Sequence, residues 1–291
     1  MIVWHSMTEF MPRSALYVPA NNLRALAKVP SLACDAVILD LEDSVAPPEK
    51  SAARQATAEA LANPDMRRRP LIVRTNSLDS GDFAADIALA RQADAVLVPK
   101  ISTVADLAQC SAALEGSRVQ LWVMIETPLA VLNIALLARS AAQTAPQLRA
   151  FALGTNDLAK DTGAALVSDR WPMVPWLSQV VLAASAFGLS VLDSVSNNFR
   201  DADAFAAECA QGAALGMDGK TLIHPAQIEA CNHAFSPSAQ ALAHAQAVVE
   251  VFARPENAGR GAVQLDGVMV EPLHISGAKQ TLARARAFGL I

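Results

Sequence analysis

Short apolar runs alternate with amphipathic segments from Ser14 to about residue 233. Eight such strand–helix units can be counted, and their apolar runs are SALYVPA, AVILDLED, PLIVRTN, AVLVPK, VQLWVMIE, RAFALG, LSVLDS and a short stretch of MDGKTLIHPAQI. The runs are apolar on both faces, as parallel strands covered by helices must be. Eight units predict an α/β fold of the (β/α)8 TIM-barrel type. An open doubly wound sheet is less favoured, because no GxGxxG follows the first run.

The helical segments carry their own start and stop signals. Asn21 or Asn22 is suited to cap the first helix, Thr103 to cap the fourth, and Gly116 to end it. PLAVLNIALLARS is predicted to form one helix, and GTNDLAKD, after the sixth strand, a catalytic turn.

The pattern changes after Pro237, so we divide the chain into a barrel domain, residues 1–235, and a C-terminal extension, residues 236–291. SAQALAHAQAVVEVFARPENAG predicts a long helix, and AVQLDGVMV predicts two short strands around an Asp266–Gly267 turn. A final helix follows. This helix–hairpin–helix cannot be a ninth barrel unit, and we interpret it as a lid or an oligomerisation arm.

Composition narrows the classes of protein that fit. The 291 residues are 53% hydrophobic, enough for a sizeable core, and the net charge of −5 argues against nucleic acid as a partner. The basic run at residues 67–69 is interpreted as a solvated loop. The four cysteines form no CxxC pair, so they predict core positions rather than zinc ligands or disulfides.

The sequence also argues against a membrane partner. No apolar run approaches the roughly 20 residues that span a bilayer. The N-terminal MIVWHSMTEFMPR carries Glu9 and lacks the basic region of a signal peptide. We therefore expect a cytoplasmic enzyme.

Two carboxylates stand at corresponding places in neighbouring units. Glu126 follows the apolar LWVMI, and Asp157 follows the apolar AFAL after a Gly–Thr–Asn. Since the carboxyl ends of parallel strands face one side of a barrel, these side chains are expected to converge. Two carboxylates with few cations nearby suit Mg²⁺. The alternative is two unrelated helix caps.

Other charged residues also collect where strands end. They are Asp40, Glu42, Asp43, Arg74, Lys100 and Asp193. Charges there are costly to desolvate and need partners. For Asp193 and Lys100 we favour salt bridges that close the barrel top, and for Arg74 the binding of an anionic substrate.

His224 is the one histidine at a predicted strand end, and it fits a structural or a catalytic role. Strand six contains no lysine, which argues against a Schiff base.

These stretches together resemble the citrate lyase β-subunit-like branch of the HpcH/HpaI aldolase family. The similarity runs from Arg13 to about Glu271 through RSALYVPA, VILDLEDSVAPPEKSAAR, IVRTN, DAVLVPK, IETP, LGTNDLAKD, DGKTLIHPAQI and GVMVEP. It implies a Mg²⁺-dependent (β/α)8 barrel, commonly trimeric, that makes or breaks a C–C bond next to a CoA thioester. Relatives cleave citryl-, malyl- or citramalyl-CoA into acetyl-CoA and oxaloacetate, glyoxylate or pyruvate.

The resemblance also implies roles for individual residues. Glu126 and Asp157 would ligate Mg²⁺, and Glu42 and Asp43 would hold metal-bound water. Arg74 would bind the substrate carboxylate. The backbone N–H groups of Gly154, Thr155, Asn156 and Asp157 would bind it from the other side. The substrate's phosphates have no local motif; from their position near the first strand Arg13, Arg24 and Lys28 are candidates to bind them, with a surface charge as the commoner role of such residues.

One departure from the family lies in the extension. Related CoA lyases usually have Asp after GxM[IV], on a lid that closes over a neighbouring subunit's site, and this chain has Glu271 followed by Pro272. Glu271 is thus the candidate acid/base, with a side chain one methylene longer. A misplacement on the order of 1 Å can cost about a hundredfold in rate.

Four functions remain open from the sequence. The first is a stand-alone acyl-CoA lyase or synthase, which the long extension favours. The second is a citrate lyase β-subunit that acts on an acyl-carrier-protein thioester. The third is a class II aldolase for free 2-oxoacids, and the fourth is a catalytically weak metabolite-binding protein.

Overall fold

The computed structural model describes residues 12–291. Residues 1–11, most of the N-terminal segment that we compared with a signal peptide, lie outside the described residues. The described chain belongs to two compact units, one ending at Phe235 and the other beginning at Ser236. Each is described by itself below.

The first unit is a closed barrel of eight parallel strands in sequence order. The strands are β1 (Ser14–Pro19), β2 (Ala36–Asp40), β3 (Leu71–Arg74), β4 (Ala95–Val98), β5 (Gln120–Ile125), β6 (Leu148–Leu153), β7 (Ser190–Asp193) and β8 (Gly219–Leu222). Pairing of β1 with β8, with Ser14 opposite Lys220, closes the barrel. The predicted (β/α)8 fold is confirmed.

Helices follow the strands and cover the barrel. They are α1 (Leu23–Lys28), α2 (Lys50–Ala62), α3 (Phe83–Ala90), α4 (Val104–Ala113), α5 (Pro128–Leu132), α6 (Ile134–Ser140), α7 (Thr155–Thr162), α8 (Val174–Ala186), α9 (Ala202–Ala214) and α10 (Ile228–Ala234). Asn22 caps α1 by accepting the Ala25 N–H, and Thr103 caps α4. The strands are buried on both faces and pack against the apolar side of these helices in one continuous core.

Two segments differ from the sequence prediction. PLAVLNIALLARS forms two helices, because Asn133 ends α5 and its side chain donates a hydrogen bond to the Ser102 carbonyl at 2.9 Å. The predicted turn after β6 is the helix α7, which ends at Gly163 with a φ of +75°. Its length of eight residues places Asp157 in a helical first turn rather than in a loop.

The second unit contains the predicted helix–hairpin–helix. It comprises α11 (Ala239–Ala253), β9 (Val263–Leu265), β10 (Val268–Val270) and α12 (Pro272–Ala287). Asp266 and Gly267 have φ values of +49° and +82°, as a two-residue hairpin turn with both central residues at positive φ requires. Apolar residues of both helices and both strands form a small core of their own. Within residues 12–291, the helices are too short or too polar to cross a membrane.

Candidate active site

The carboxyl ends of the barrel strands bring most of the predicted site residues together. Arg74 is the last residue of β3, Glu126 follows β5 directly, and Glu42 lies two residues beyond β2. Asp157 enters from the first turn of α7. A cavity of about 440 Å³ opens there, lined by residues from the ends of six strands and their loops.

Glu126 is buried beside the cavity, with 2% of its surface exposed. Its Oε1 accepts the backbone N–H of Lys100 at 2.8 Å. Lys100 has a φ of +59°, a left-handed conformation that is uncommon outside glycine. On the other side, a Cβ at Gly154 would lie 2.5 Å from the Glu126 Cβ and 2.8 Å from its Oε2. Only glycine therefore fits at position 154 without moving the carboxylate.

The electrostatics of Glu126 show a shortage of positive charge. Burial, and then the nearby carboxylates of Glu42 and Asp157, raise the pKa of Glu126 to about 8. The Lys100 N–H and the Arg74 guanidinium oppose this shift without cancelling it. A divalent cation would supply the missing charge and would favour the ionised form.

The donor set fits a hard cation that keeps open positions. Glu126 and Asp157 offer carboxylate oxygens, and Asp157 is partly exposed to the cavity that it lines. Within residues 12–291, no three Asp, Glu, His or Cys side chains form a closed metal-binding group. Mg²⁺ is usually held by one or two carboxylates, with water and substrate completing its shell.

Arg74 is held on two sides by carboxylates. Its Nε and Nη2 donate to the two oxygens of Asp40 at 2.6 and 2.7 Å, and its Nη1 lies 2.8 Å from Glu42 Oε2. The Tyr17 ring stacks below it, with the guanidinium carbon 4.8 Å from the ring centroid. Burial alone would raise the pKa of Asp40, but Arg74 and the hydrogen bonds from Ser44 and the Glu42 N–H hold it below its usual value. Asp40 thus fixes one edge of the guanidinium.

Glu42 and Asp43 take different positions, although the sequence paired them. Glu42 is buried, with Arg74 and the Lys100 Nζ (3.0 Å) as cationic neighbours. Burial still raises its pKa, with Arg74 acting in the opposite direction. Asp43 is exposed and lines the cavity. Lys100 forms the expected salt bridge, but its partner is Glu42, which is itself one of the predicted site residues.

The segment Gly154–Asp157 lines the cavity as predicted. Thr155 is buried and its hydroxyl donates to Ser194 Oγ at 2.9 Å, which joins the ends of β6 and β7. Asn156 is exposed and pairs with Asn197 across the same two loops. Since α7 begins at Thr155, its first N–H groups lie at the cavity, where they favour an anion.

Arg13 does not reach this site. It precedes β1, at the opposite end of the barrel, where its Nε and Nη2 bind Asp35 at 2.8 Å each. The structure therefore gives Arg13 a structural position and argues against a substrate contact. The sequence prediction went wrong because it grouped Arg13 with β1 without asking which end of the strand it occupies.

Two other candidates have defined surroundings. The ring of His224 accepts the Ala226 N–H through Nδ1 and stacks on Phe199 at 4.3 Å, as a structural histidine does. Glu271 lies in the C-terminal unit, is exposed, and donates its backbone N–H to His274 Nδ1 at 2.9 Å. Its proposed role as acid/base is taken up below.

Asp193 lies outside the group of site residues. Together with Arg170, Lys220 and Glu208 it forms a buried ion cluster, here named the Asp193 cluster. Arg170 Nη1 donates to both Asp193 oxygens at 2.7 and 2.9 Å, and Lys220 Nζ lies 3.1 Å away. The prediction of a structural salt bridge for Asp193 agrees with this arrangement.

The sequence interpretation missed Tyr17, and it gave Asp40 no separate role. Tyr17 and Pro19 alternate along β1 and both line the cavity, while the residues on either side of Tyr17 are buried. The period of two along the strand would have identified them as inward-facing residues at its carboxyl end.

The fold and this cavity define an α/β-barrel enzyme whose site is built at the carboxyl ends of the strands. A family model described as HpcH/HpaI aldolase/citrate lyase matches residues 13–225, and the protein belongs to this family. A (3S)-malyl-CoA thioesterase of Cereibacter sphaeroides is 44% identical over 94% of this chain and 95% of its own.

Two further similarities extend over most of the chain. The mitochondrial citramalyl-CoA lyase of Mus musculus is 31% identical over 90% of this chain and 83% of its own. The crystal structure of CitE from Mycobacterium tuberculosis in complex with magnesium, acetoacetate and coenzyme A superposes with a TM-score of 0.74. It is 30% identical and covers 94% of this chain and 98% of that one.

Proposed function

We propose that the protein is a Mg²⁺-dependent carbon–carbon lyase, or a synthase in the reverse direction. Its substrate would be a 3-hydroxyacyl-CoA thioester such as citryl-, malyl- or citramalyl-CoA, and its products acetyl-CoA and a 2-oxoacid. The observation that carries the proposal is that Asp157 and Arg74 line one cavity, with the Glu126 carboxylate buried directly behind Gly154 in its wall. The citramalyl-CoA lyase relative and the CitE structure with magnesium and coenzyme A support it.

In this proposal Glu126 and Asp157 hold the metal, and Glu42 and Asp43 hold its water. The support is the raised pKa of the buried Glu126 and the position of Asp157 in the cavity wall. When bound, Mg²⁺ acts as a Lewis acid on the 2-oxo oxygen. Lys100 fixes Glu126 through its backbone N–H, so the carboxylate is positioned before the metal arrives.

The oxoacid carboxylate would lie between Arg74 and the first turn of α7. Asp40 accepts from Nε and Nη2, and Glu42 lies 2.8 Å from Nη1, so the substrate carboxylate would take the second N–H of Nη1 or of Nη2. The backbone N–H groups at Thr155, Asn156 and Asp157 would complete the anion site. Asp40 then positions Arg74 rather than touching the substrate.

Cleavage also requires a proton balance. The 3-hydroxyl loses its proton, the C2–C3 bond breaks, and the electron pair stays on C2, which takes up a proton to become the methyl group of acetyl-CoA. We assign the protonation of C2 to Glu271 of a neighbouring subunit in a homotrimer or larger homo-oligomer, and the proton released by the 3-hydroxyl restores the Glu271 carboxyl for the next turnover. The exposed apolar side chains of Val268, Met269 and Leu273 beside Glu271 suit such an interface.

The activity is tested with a panel of citryl-, malyl- and citramalyl-CoA, with Mg²⁺ and with EDTA. Acetyl-CoA and an equal amount of the 2-oxoacid should appear only when Mg²⁺ is present. Purified, folded protein that produces neither product from any of the three thioesters would overturn the proposal.

The shared site has its own test. Glu126→Ala and Glu271→Gln chains, each inactive alone, are unfolded together and reassembled. Mixed oligomers should recover activity, because some sites would combine an intact Glu126 with a neighbour's intact Glu271. Unmutated chains taken through the same cycle are the control. If they recover and the mixture does not, Glu271 does not act across subunits.

Thioester hydrolysis is a second candidate function. The observation that favours it is the 44% identity to a (3S)-malyl-CoA thioesterase, against 31% for the citramalyl-CoA lyase. A hydrolase would release free CoA and malate from malyl-CoA, with no acetyl-CoA and no glyoxylate. Chromatography of the reaction products separates the two activities in one assay.

A further inference from the structure

The wall of the cavity is poor in positive charge. Among the described residues that line it, Arg74 is the one cation, and Asp40, Asp43 and Asp157 are the acids. Glu126, buried behind Gly154, adds a fourth carboxylate, so a divalent metal would still leave a net charge of −1. One carboxylate of the substrate would bind Arg74 and the N–H groups of α7. A second carboxylate would have no further cation in this wall to pair with.

Nearby lysines are held away from the cavity. Lys100 Nζ lies 3.0 Å from Glu42, and Lys50 Nζ donates to the carbonyls of Leu41 and Glu42 and to Asn76 Oδ1. Neither lysine lines the cavity. Lys50 is buried with its donors satisfied, so turning toward a ligand would break three hydrogen bonds.

The neutral polar groups of the wall are also engaged. Four side-chain donors have oxygen acceptors in the protein: Ser44 donates to Asp40, Thr155 to Ser194, Asn156 to Asn197 and Thr221 to the Asp193 carbonyl. The Tyr17 hydroxyl has the Met124 thioether at 4.0 Å, and the remaining side chains are mostly apolar, among them Met124, Leu153, Val195 and Ile223. A second carboxylate would lose water and gain no charge-assisted hydrogen bond, which is costly.

We propose that the cavity selects 2-oxoacids with a single carboxylate and an uncharged third substituent, as in glyoxylate and pyruvate, and discriminates against oxaloacetate. This inference rests on the proposed function and narrows its substrate class to malyl- or citramalyl-type thioesters. Discrimination arises from the missing cation rather than from lack of space.

The test is calorimetric binding in the presence of Mg²⁺. Glyoxylate, pyruvate, oxaloacetate and 4-methyl-2-oxopentanoate are titrated, with oxaloacetate freshly prepared and kept cold. The last compound has the shape of oxaloacetate, with two methyl groups in place of the second carboxylate's oxygens. It should bind at least tenfold tighter than oxaloacetate, and so should pyruvate.

Equal affinity of oxaloacetate and pyruvate would overturn the inference. Equal affinity of oxaloacetate and 4-methyl-2-oxopentanoate would also overturn it, because the charge of the second carboxylate would then have no effect on binding. Failure of all four compounds to bind is a different result, because it would remove the 2-oxoacid site of the proposed function itself.

A variant tests the cause directly. Val195 is half-buried in the loop after β7 and lines the cavity, so Val195→Lys would add the missing cation, and Val195→Met is the control of similar length. Val195→Lys should raise the affinity for oxaloacetate relative to pyruvate at least tenfold, and Val195→Met should not. Ile223→Lys, at a more exposed position of the same wall, repeats the test if the first variant does not fold. No change of the ratio in a folded lysine variant would overturn the inference.

Discussion

Glu126 and Asp193 occupy equivalent places in the barrel and have opposite electrostatics. Each is a carboxylate at the carboxyl end of a strand, with 2% and 0% of its surface exposed. Asp193 is paired with Arg170 and Lys220, and although burial acts against ionisation, these cations hold its pKa below the usual value. Glu126 has other carboxylates as neighbours, and its pKa is raised to about 8.

We propose that this difference separates a structural charge, Asp193, from a functional one, Glu126. Burial at a strand end is common to both residues, so burial alone does not mark a catalytic site. The Asp193 cluster is completed by cations from the same chain. At Glu126 the chain leaves the charge incomplete, which is how a protein prepares a site for a metal or a substrate.

The largest effect on stability is expected from removing the Asp193 carboxylate, which is paired with cations. Asp193→Ala would leave Arg170 and Lys220 buried without their central anion, which should lower the free energy of unfolding by about 3–5 kcal/mol. Urea denaturation measures it. Asp79→Ala, at an exposed loop aspartate, is the control and should change stability by no more than about 0.5 kcal/mol. A stability of Asp193→Ala equal to that control would mean that the cluster does not stabilise the barrel.

Removing the charge of Glu126, which has no paired cation, should not lower the free energy of unfolding. Glu126→Gln is neutral without having to take up a proton on folding, so stability in EDTA should be unchanged or higher. Mg²⁺ at 100 times its Kd should stabilise the unmutated protein by about 2.7 kcal/mol and this variant not at all. Glu229→Gln, on the exposed face of α10, should keep the full Mg²⁺ effect. Equal Mg²⁺ stabilisation of both variants would show that Glu126 is not a metal ligand.

The comparison also predicts a pH dependence for the metal-free protein. The pKa of Glu126 is about 8 in the folded protein, against 4.5 for a free glutamate, so between these pH values the folded protein holds a proton that the unfolded chain has released. The contribution of Glu126 to stability should therefore be complete below pH 4.5 and fall as the pH rises to 8. Part of the shift comes from the charges of neighbouring carboxylates, so we expect a loss of roughly 2 kcal/mol, which is less than the full shift would give at 1.36 kcal/mol per pH unit.

Chemical denaturation in EDTA at several pH values measures this slope. Glu126→Gln has no such group and should show a flatter curve over the same range. A slope as steep in the variant as in the unmutated protein would assign the proton to another residue.

Much of the fold was predictable, because apolar runs and amphipathic segments alternate with the period of a parallel barrel. Strand ends were predictable for the same reason: Arg74, Glu126 and Asp193 each end an apolar run, and parallel strands bring such residues to one face. The sequence could not show which of them would be paired. The partners of Asp193 come from Arg170 and Lys220, and that pairing depends on three-dimensional packing.

Other errors have local causes. Arg13 was misplaced because proximity along the chain does not say which end of a strand a residue occupies. The α7 helix was missed because GTNDLAKD is short and polar, and tertiary contacts such as the burial of Leu158 decide its conformation. The role of Asp40 was hidden because it depends on how the Arg74 guanidinium is oriented.

Alanine substitutions at two glycines should have the smallest effects on stability. They discriminate best between the two carboxylates, because one glycine lies against Glu126 and the other against Asp193. A Cβ at Gly154 would meet Glu126 Cβ at 2.5 Å, and a Cβ at Gly212 would meet Asp193 Oδ2 at 2.7 Å. Gly154→Ala and Gly212→Ala should each lower stability by about 1–2 kcal/mol through overpacking, with the loss at Gly212 reduced by better helix propensity in α9. Gly81→Ala, where nothing lies within 4 Å, is the control.

The two variants should differ in their response to Mg²⁺. Gly154→Ala displaces Glu126, the proposed metal ligand, so its stabilisation by Mg²⁺ should be lost or greatly weakened. Gly212→Ala disturbs a carboxylate that is already paired within the chain, so its Mg²⁺ stabilisation should equal that of Gly81→Ala. Thermal unfolding with and without Mg²⁺ measures both. If Gly212→Ala lost the Mg²⁺ effect as well, the two carboxylates would belong to one coupled network, and the distinction between a paired structural charge and an unpaired functional one would fail for this barrel.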